Sequence, residues 1–228
     1  MANAGKKIEF QADGRTAGGY LVEPEGKGPF PGLIVVHEWW GLNDHVKDIA
    51  GRFAAQGYVT VAPDLYDGKV TTDSAKAGEL MQGLDQEKAL QTLNGAVNFL
   101  KSQPTVSPDK IGATGFCMGG TFALLLARNA DIKASAPFYG DVPPDEVIEN
   151  MTAPVLFIGA ENDPWINMEK MERLRAGLRK FGKEGEVKIY NGVGHAFFND
   201  TRPEAYDPAA AHDAWERVLK FFAAKLRS

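Results

Sequence analysis

The chain holds a single cysteine, and its neighbours decide what it can do. Cys117 lies in Gly115-Phe116-Cys117-Met118-Gly119-Gly120, between the apolar run Lys110–Gly115 and an apolar helical pattern. A strand that breaks sharply into a helix at G-x-C-x-G is a nucleophile elbow with cysteine in the position serine more often takes. The small residues Gly115 and Gly119 let strand and helix approach closely enough for that turn. A helix N-terminus carries partial positive charge, which favours thiolate over thiol. The backbone N–H of Met118 would then point at an oxyanion forming on an attacked carbonyl. A lone cysteine is more often a buried structural residue, but two glycines at the required offsets favour the nucleophile.

A thiol at an elbow needs a base and a group that orients the base, in the chain order nucleophile, acid, histidine. The apolar run Val155–Gly159 ends in Ala160-Glu161-Asn162-Asp163-Pro164, which offers two carboxylates at the C-terminal edge of a strand, where ligand chemistry collects in parallel sheets. Asp163 is the expected orienter of the base and Glu161 its rival, and an aspartate that merely caps a turn before Pro164 is the simpler alternative. The base is expected at His195, in Asn191-Gly192-Val193-Gly194-His195-Ala196-Phe197, a glycine-rich loop beyond the last apolar run. Of the other histidines, His45 and His212 fall in amphipathic helical patterns and are expected to be solvated, while His37 precedes the nucleophile.

A standing thiolate–imidazolium pair is vulnerable to oxidants. A carboxylate that accepts the thiol proton avoids that state, and Glu38, in His37-Glu38-Trp39-Trp40-Gly41 after the first buried run, is placed for it. The same loop position supplies the second oxyanion donor in folds of this kind. An ordinary exposed loop glutamate is the simpler alternative.

These groups must be carried by a scaffold, and its elements are legible. Lys7–Ala12, the turn Asp13-Gly14 and Gly19–Val22 form a hairpin. Continuous apolar runs at Gly32–Val36, Tyr58–Ala62, Lys110–Gly115, Ala134–Tyr139, Pro154–Ile158 and Glu186–Tyr190 fit strands buried on both faces. Between them lie helical patterns over Asp44–Gln56, Asp85–Lys101, Thr121–Arg128, Met168–Phe181 and Pro208–Leu226. Strands alternating with helices predict an α/β fold, a mostly parallel doubly wound sheet with an N-terminal antiparallel hairpin, in a single domain over 1–228.

Composition narrows the class. The 228 residues are 44% hydrophobic and 24% charged, with a formal net charge of −5. That balance is ordinary for a globular domain and disfavours nucleic acid or an anionic membrane as partner. One cysteine allows no internal disulfide, no apolar run is long enough to span a membrane, and no apolar segment follows Lys6-Lys7, so the cytoplasm is the expected compartment.

Taken together and in order, these segments resemble the dienelactone hydrolase family, the carboxymethylenebutenolidases, over nearly the whole chain. The likeness rests on His37-Glu38-Trp39-Trp40-Gly41, Pro63-Asp64-Leu65-Tyr66, the elbow, Phe138-Tyr139-Gly140, Asp163 and Gly194-His195-Ala196-Phe197. The resemblance implies the α/β-hydrolase fold, a Cys117–His195–Asp163 triad, and Glu38 as the residue that deprotonates the thiol when substrate binds. It implies an oxyanion hole from the amides of Trp39 and Met118. The implied reaction opens an enol-lactone through an acyl-thioester that water hydrolyses, with no metal or organic cofactor. Trp40, Tyr66, Phe138 and Trp165 are expected to line the pocket. Two arginines that hold the substrate carboxylate in well-studied members correspond here to Gly68 and Asn199. Lys69 and Arg202 are the nearby cations, although a lysine does not reproduce a bidentate fork. The expected substrate is therefore a small lactone or ester, with a broad carboxylesterase acting on neutral esters as the alternative. A monomer or small homo-oligomer is expected. A binding protein on a degenerate hydrolase scaffold would not need all three triad residues, and a redox sensor would lack a resolving cysteine within this chain.

Overall fold

The computed structural model describes residues 1–227 and resolves into two compact units, Met1–Gly112 and Ala113 onward. In the first unit, β1 (Lys6–Ala12) and β2 (Arg15–Val22) form an antiparallel hairpin closed by Asp13 and Gly14, both at positive φ. That pair of conformations matches the right-handed twist of the flanking strands. The hairpin returns at Arg15, four residues before the expected Gly19, because Arg15–Gly18 also pair, opposite Glu9–Ala12.

β3 (Phe30–Val36) runs parallel to β4 (Val59–Pro63), and β4 pairs antiparallel with β2. β3 and β4 are buried almost throughout, which explains their unbroken apolar sequences. Three helices complete the unit: α1 (Asp44–Ala55), α2 (Ser74–Gln82) and α3 (Gln86–Ser102). Each begins on a side-chain cap, from Asn43, Asp73 and Asp85 respectively. α2 was invisible to periodicity because only Ala77 of it is buried. His45 corrects the expectation of a solvated side chain. It is 6% exposed, since it shares the inward stripe of α1 with Ile49 and Phe53 at spacings of four.

The boundary between the units falls within β5 (Val106–Phe116), which leads directly into α4 (Met118–Leu126). The second unit continues with β6 (Ile132–Phe138), the short α5 (Asp145–Glu149), β7 (Val155–Ala160), α6 (Met168–Lys180), β8 (Gly185–Tyr190) and α7 (Pro208–Leu226). β6, β7 and β8 are parallel, with Phe138 beside Ile158 and Ala160 beside Tyr190. This register brings the C-terminal ends of three strands to one edge, so the loops after them emerge together. The expected α/β fold with its N-terminal hairpin is what the chain adopts. Among the described residues, no helix is long and apolar enough to cross a membrane.

Candidate active site

Cys117 stands between β5 and α4 with φ +56° and ψ −119°. A side chain there is strained by about 1–3 kcal/mol, a cost that persists only where the surroundings over-determine the backbone. Here they do. The Cys117 amide donates to the Phe138 carbonyl at 3.1 Å, and the Cys117 carbonyl accepts from the amides of Gly120 (2.9 Å) and Thr121 (3.2 Å). Gly120, the glycine directly after the G-x-C-x-G motif, has no room for a side chain. A Cβ on Gly120 would lie 2.3 Å from the Phe138 carbonyl oxygen, and one on Gly140 would lie 2.2 Å from the Gly120 carbonyl carbon. The start of α4 therefore rests directly on the backbone after β6. Gly120→Ala is expected to destabilise the protein by at least about 2 kcal/mol, read from urea denaturation, because both colliding atoms are backbone and cannot rotate away.

The acid and the base come from the next two loops. After β7, Asp163 turns inward to 4% exposure and accepts from the amides of Trp165 and Ile166, both at 2.9 Å. Its other oxygen lies 2.6 Å from His195 Nδ1. Glu161, the rival carboxylate, is exposed and accepts instead from the Gly192 amide at 2.8 Å. That bond, with Glu161 N–H to Tyr190 O and Asn162 N–H to Val193 O at 2.9 Å each, stitches the acid loop to the histidine loop. Ala196, at φ +63°, turns the chain directly after His195.

The His195 ring contacts two aromatic rings, Tyr139 (tilted) and Trp165 (edge to face), each 4.9 Å away between centroids. Trp165 is 62% exposed, while Tyr139 is buried. Burial pulls the His195 pKa down, but hydrogen bonds to Asp163 and Cys117, with the charges of both, outweigh it and raise the value to about 10. With Nδ1 facing Asp163, Nε2 is the nitrogen left for the thiol. For Asp163, burial pulls upward, while the His195 hydrogen bond and charge and the two amides prevail and lower its pKa. Cys117, His195 and Asp163 are thus one connected chain of side chains, and Cys117 is partly accessible to solvent.

The remaining expected residues separate. In the first unit, Glu38 is 2% exposed and so is not an ordinary loop glutamate. His37, fully buried beside it, contacts the Glu38 carbonyl through Nδ1 at 2.6 Å and accepts from the Leu65 amide through Nε2 at 3.1 Å. Burial lowers its pKa, opposed by the Glu38 hydrogen bond and the charge of Asp64. The rings of Trp39 and Trp40 meet edge to face at 4.9 Å. Lys69 is exposed and shares with Tyr66, Val70, Lys76, Glu79 and Leu80 an open groove of about 600 Å³.

Two expected pocket residues are corrected. Phe138 is fully buried, its ring packed 4.7 Å from Phe116 and 4.9 Å from Phe198, so its side chain belongs to the core and only its carbonyl serves the elbow. Asn199 is 1% exposed, and its side-chain oxygen accepts from both the amide (3.0 Å) and the hydroxyl (2.7 Å) of Thr201. That oxygen closes a turn, and the side chain is almost wholly withdrawn from solvent. The Arg202 guanidinium is engaged by Glu204 at 2.7–2.8 Å. Among the described residues, no group of three or more His, Cys, Asp or Glu side chains is arranged to hold a metal ion. Tyr139, whose ring lies 4.9 Å from that of His195, stands in the sequence only as part of a turn motif. Its signal was its place directly after β6, at the same strand edge as the acid and the base.

The family model of the dienelactone hydrolase family matches residues 17–226. The chain belongs to that family. It is a hydrolase of the carboxylic ester and lactone class with an α/β-hydrolase fold. Relatives named in full extend the match over nearly the whole length. Protein usf of Aquifex pyrophilus is 40% identical, over 96% of this chain and 97% of the relative. A "Probable 2-oxo-3-(5-oxofuran-2-ylidene)propanoate lactonase" of Bradyrhizobium is 33% identical, over 93% and 91%. Among solved structures, a dienelactone hydrolase-like promiscuous phosphotriesterase from metagenomic libraries superimposes with a TM-score of 0.89 at 27% identity, over 97% of this chain and 98% of the other.

Proposed function

We propose that this dienelactone hydrolase family member cleaves small lactones or esters by nucleophilic attack of Cys117, through an acyl-thioester. The observation that carries the reading is the connected set of a strained, partly accessible Cys117, a His195 hydrogen-bonded to it, and an Asp163 oxygen 2.6 Å from the other ring nitrogen. On this reading each member takes one role in acyl transfer. Glu38 takes the thiol proton as substrate binds, and the thiolate attacks the acyl carbon. The oxyanion that forms is met by the amides of Trp39 and Met118. His195, whose pKa is raised by its partners, delivers its ring proton to the leaving alkoxide. The neutral imidazole then takes a proton from water as water attacks the thioester, and expulsion of the thiolate returns the proton from Glu38 to sulfur. Asp163 keeps Nδ1 oriented throughout and stabilises the imidazolium.

The substrate class follows from what surrounds the triad. Trp165 offers an exposed aromatic face beside His195. Neither Asn199 nor Arg202 stands ready as a carboxylate clamp, since Asn199 is 1% exposed and the Arg202 guanidinium is engaged by Glu204. A neutral or singly anionic small ester or lactone fits this better than a substrate that needs a bidentate arginine. A free nucleophilic thiol also suits the reducing cytoplasm, where we place the protein.

The test is to mix the protein with p-nitrophenyl acetate, quench within the burst and map the acyl adduct by mass spectrometry. An acetyl group on Cys117 is the expected result; acetylation elsewhere, or turnover with no adduct at Cys117 in either wild-type protein or a slow-deacylating variant, contradicts the reading. Comparing kcat/KM for this neutral ester with that for an anionic dienelactone then ranks the two substrate classes, with the neutral ester expected to be at least as good.

A further inference from the structure

His37 is the buried group that the triad leaves unused. Its two ring nitrogens have unambiguous roles. The Leu65 amide can only donate, so Nε2 must accept; the Glu38 carbonyl can only accept, so Nδ1 must carry the proton and donate. The ring is therefore a neutral bridge between the Glu38 carbonyl and the Pro63–Tyr66 loop, packed against the Tyr66 ring at 5.0 Å. The Glu38 carbonyl receives a second bond from the Gly41 amide at 3.2 Å. Gly41 itself, at φ +88°, lies so close to the Lys69 carbonyl that a Cβ there would approach to 2.3 Å. Two donors thus clamp one oxygen in a loop that has no room to shift.

The clamped oxygen belongs to the same planar peptide as the Trp39 N–H. Among the described residues the cis bond is Gly28-Pro29, so this peptide is trans and its N–H points away from its carbonyl. Holding the oxygen sets the direction of the N–H, and donation to the oxygen polarises the peptide and strengthens the N–H as a donor. We propose that His37 is a positioning residue for the oxyanion hole: its Nδ1–H, braced by Leu65, aims and polarises the Trp39 amide. This rests on the reading of Cys117 as nucleophile and of Trp39 N–H as an oxyanion donor.

The two reactions of one thiol separate this role from a general structural one. Acylation by p-nitrophenyl acetate passes through a tetrahedral oxyanion, whereas alkylation by iodoacetamide displaces iodide and forms none. His37→Leu is expected to lower the acylation rate about 100-fold, the usual size of a lost oxyanion donor, with the alkylation rate of Cys117 unchanged. His37→Asn, which keeps an N–H near the position of Nδ1, should recover most of the loss. His37→Gln, which reaches toward Leu65 instead, should recover little. Should the leucine variant not fold, the asparagine–glutamine comparison carries the test. Equal acylation in the asparagine and glutamine variants, or a parallel fall in acylation and alkylation, would overturn the inference. Failure of the underlying reading looks different: wild-type protein fully alkylated at Cys117 would still turn over ester.

Discussion

Cys117→Ala is expected to lose at least about 10⁴-fold in ester turnover, since removing the nucleophile of a triad removes nearly all of the triad's contribution. The measurement is kcat/KM on p-nitrophenyl acetate beside thermal unfolding of the same preparation. The fold should survive. Cys117 is held by its backbone, through Phe138, Gly120 and Thr121, and alanine keeps every one of those bonds. Retained turnover in a folded alanine variant would remove Cys117 from the mechanism. A companion substitution separates chemistry from strain. At φ +56°, ψ −119° a side chain costs about 1–3 kcal/mol, whereas glycine tolerates the conformation at an entropic cost of about 0.5–1 kcal/mol. Cys117→Gly should therefore be equally inactive yet more stable than Cys117→Ala by about 1 kcal/mol. An elbow that stores strain for its nucleophile gives that ordering, and a relaxed turn gives the reverse.

Asp163→Asn should lower kcat by about 10³–10⁴-fold, because an amide can hold the imidazole in the wrong tautomer and cannot stabilise its cation. It should also reshape stability against pH, and the sign follows from the two partners. The lowered Asp163 pKa contributes stability that is complete above the unfolded value of 3.8 and is lost as pH falls through the folded one. The raised His195 pKa contributes stability that is complete below the unfolded value of 6.5 and is lost as pH rises through about 10. Both are intact only between 3.8 and 6.5. Urea titrations of wild type and Asp163→Asn should thus differ by about 2 kcal/mol near pH 6, as for a buried ion pair broken on one side with a partner able to neutralise. The gap should stay flat down to about pH 4 and shrink steadily toward pH 10. A gap that widens at alkaline pH would mean that His195 is not held protonated by Asp163.

Much of this site was legible because its signals are local. G-x-C-x-G marks a turn through the conformations of its own residues, and the runs Gly32–Val36 and Val155–Gly159 mark buried strands through their own composition. What escaped depended on neighbours far along the chain. His45 reads as an amphipathic surface residue until the stripe of α1 is known to face inward. Phe138 follows the same rule in reverse: an aromatic at a strand end suits a pocket, but Phe116 and Phe198 enclose its ring. Asn199 occupies the place of a ligand-binding residue, yet it is 1% exposed and its side-chain oxygen closes a turn with Thr201. α2 shows no apolar stripe because it buries almost nothing.

The sequence by itself determined the family and the α/β fold, and named an expected nucleophile and the order of its partners, all of which rest on residue type and spacing. It set two carboxylates, Glu161 and Asp163, in the same turn, with Glu161 the rival that the family resemblance set aside. The physical reason lies in the tertiary structure. The parallel register of β7 and β8 sets the two loops side by side, the amides of Trp165 and Ile166 turn Asp163 inward, and Gly192 holds Glu161 at the surface. The bond that matters joins residues 32 apart in the chain. Its partner was chosen by which way a loop directs its side chains, a property fixed by hydrogen bonds within that loop, which turn Asp163 inward, together with the bond from the neighbouring loop that holds Glu161 outside.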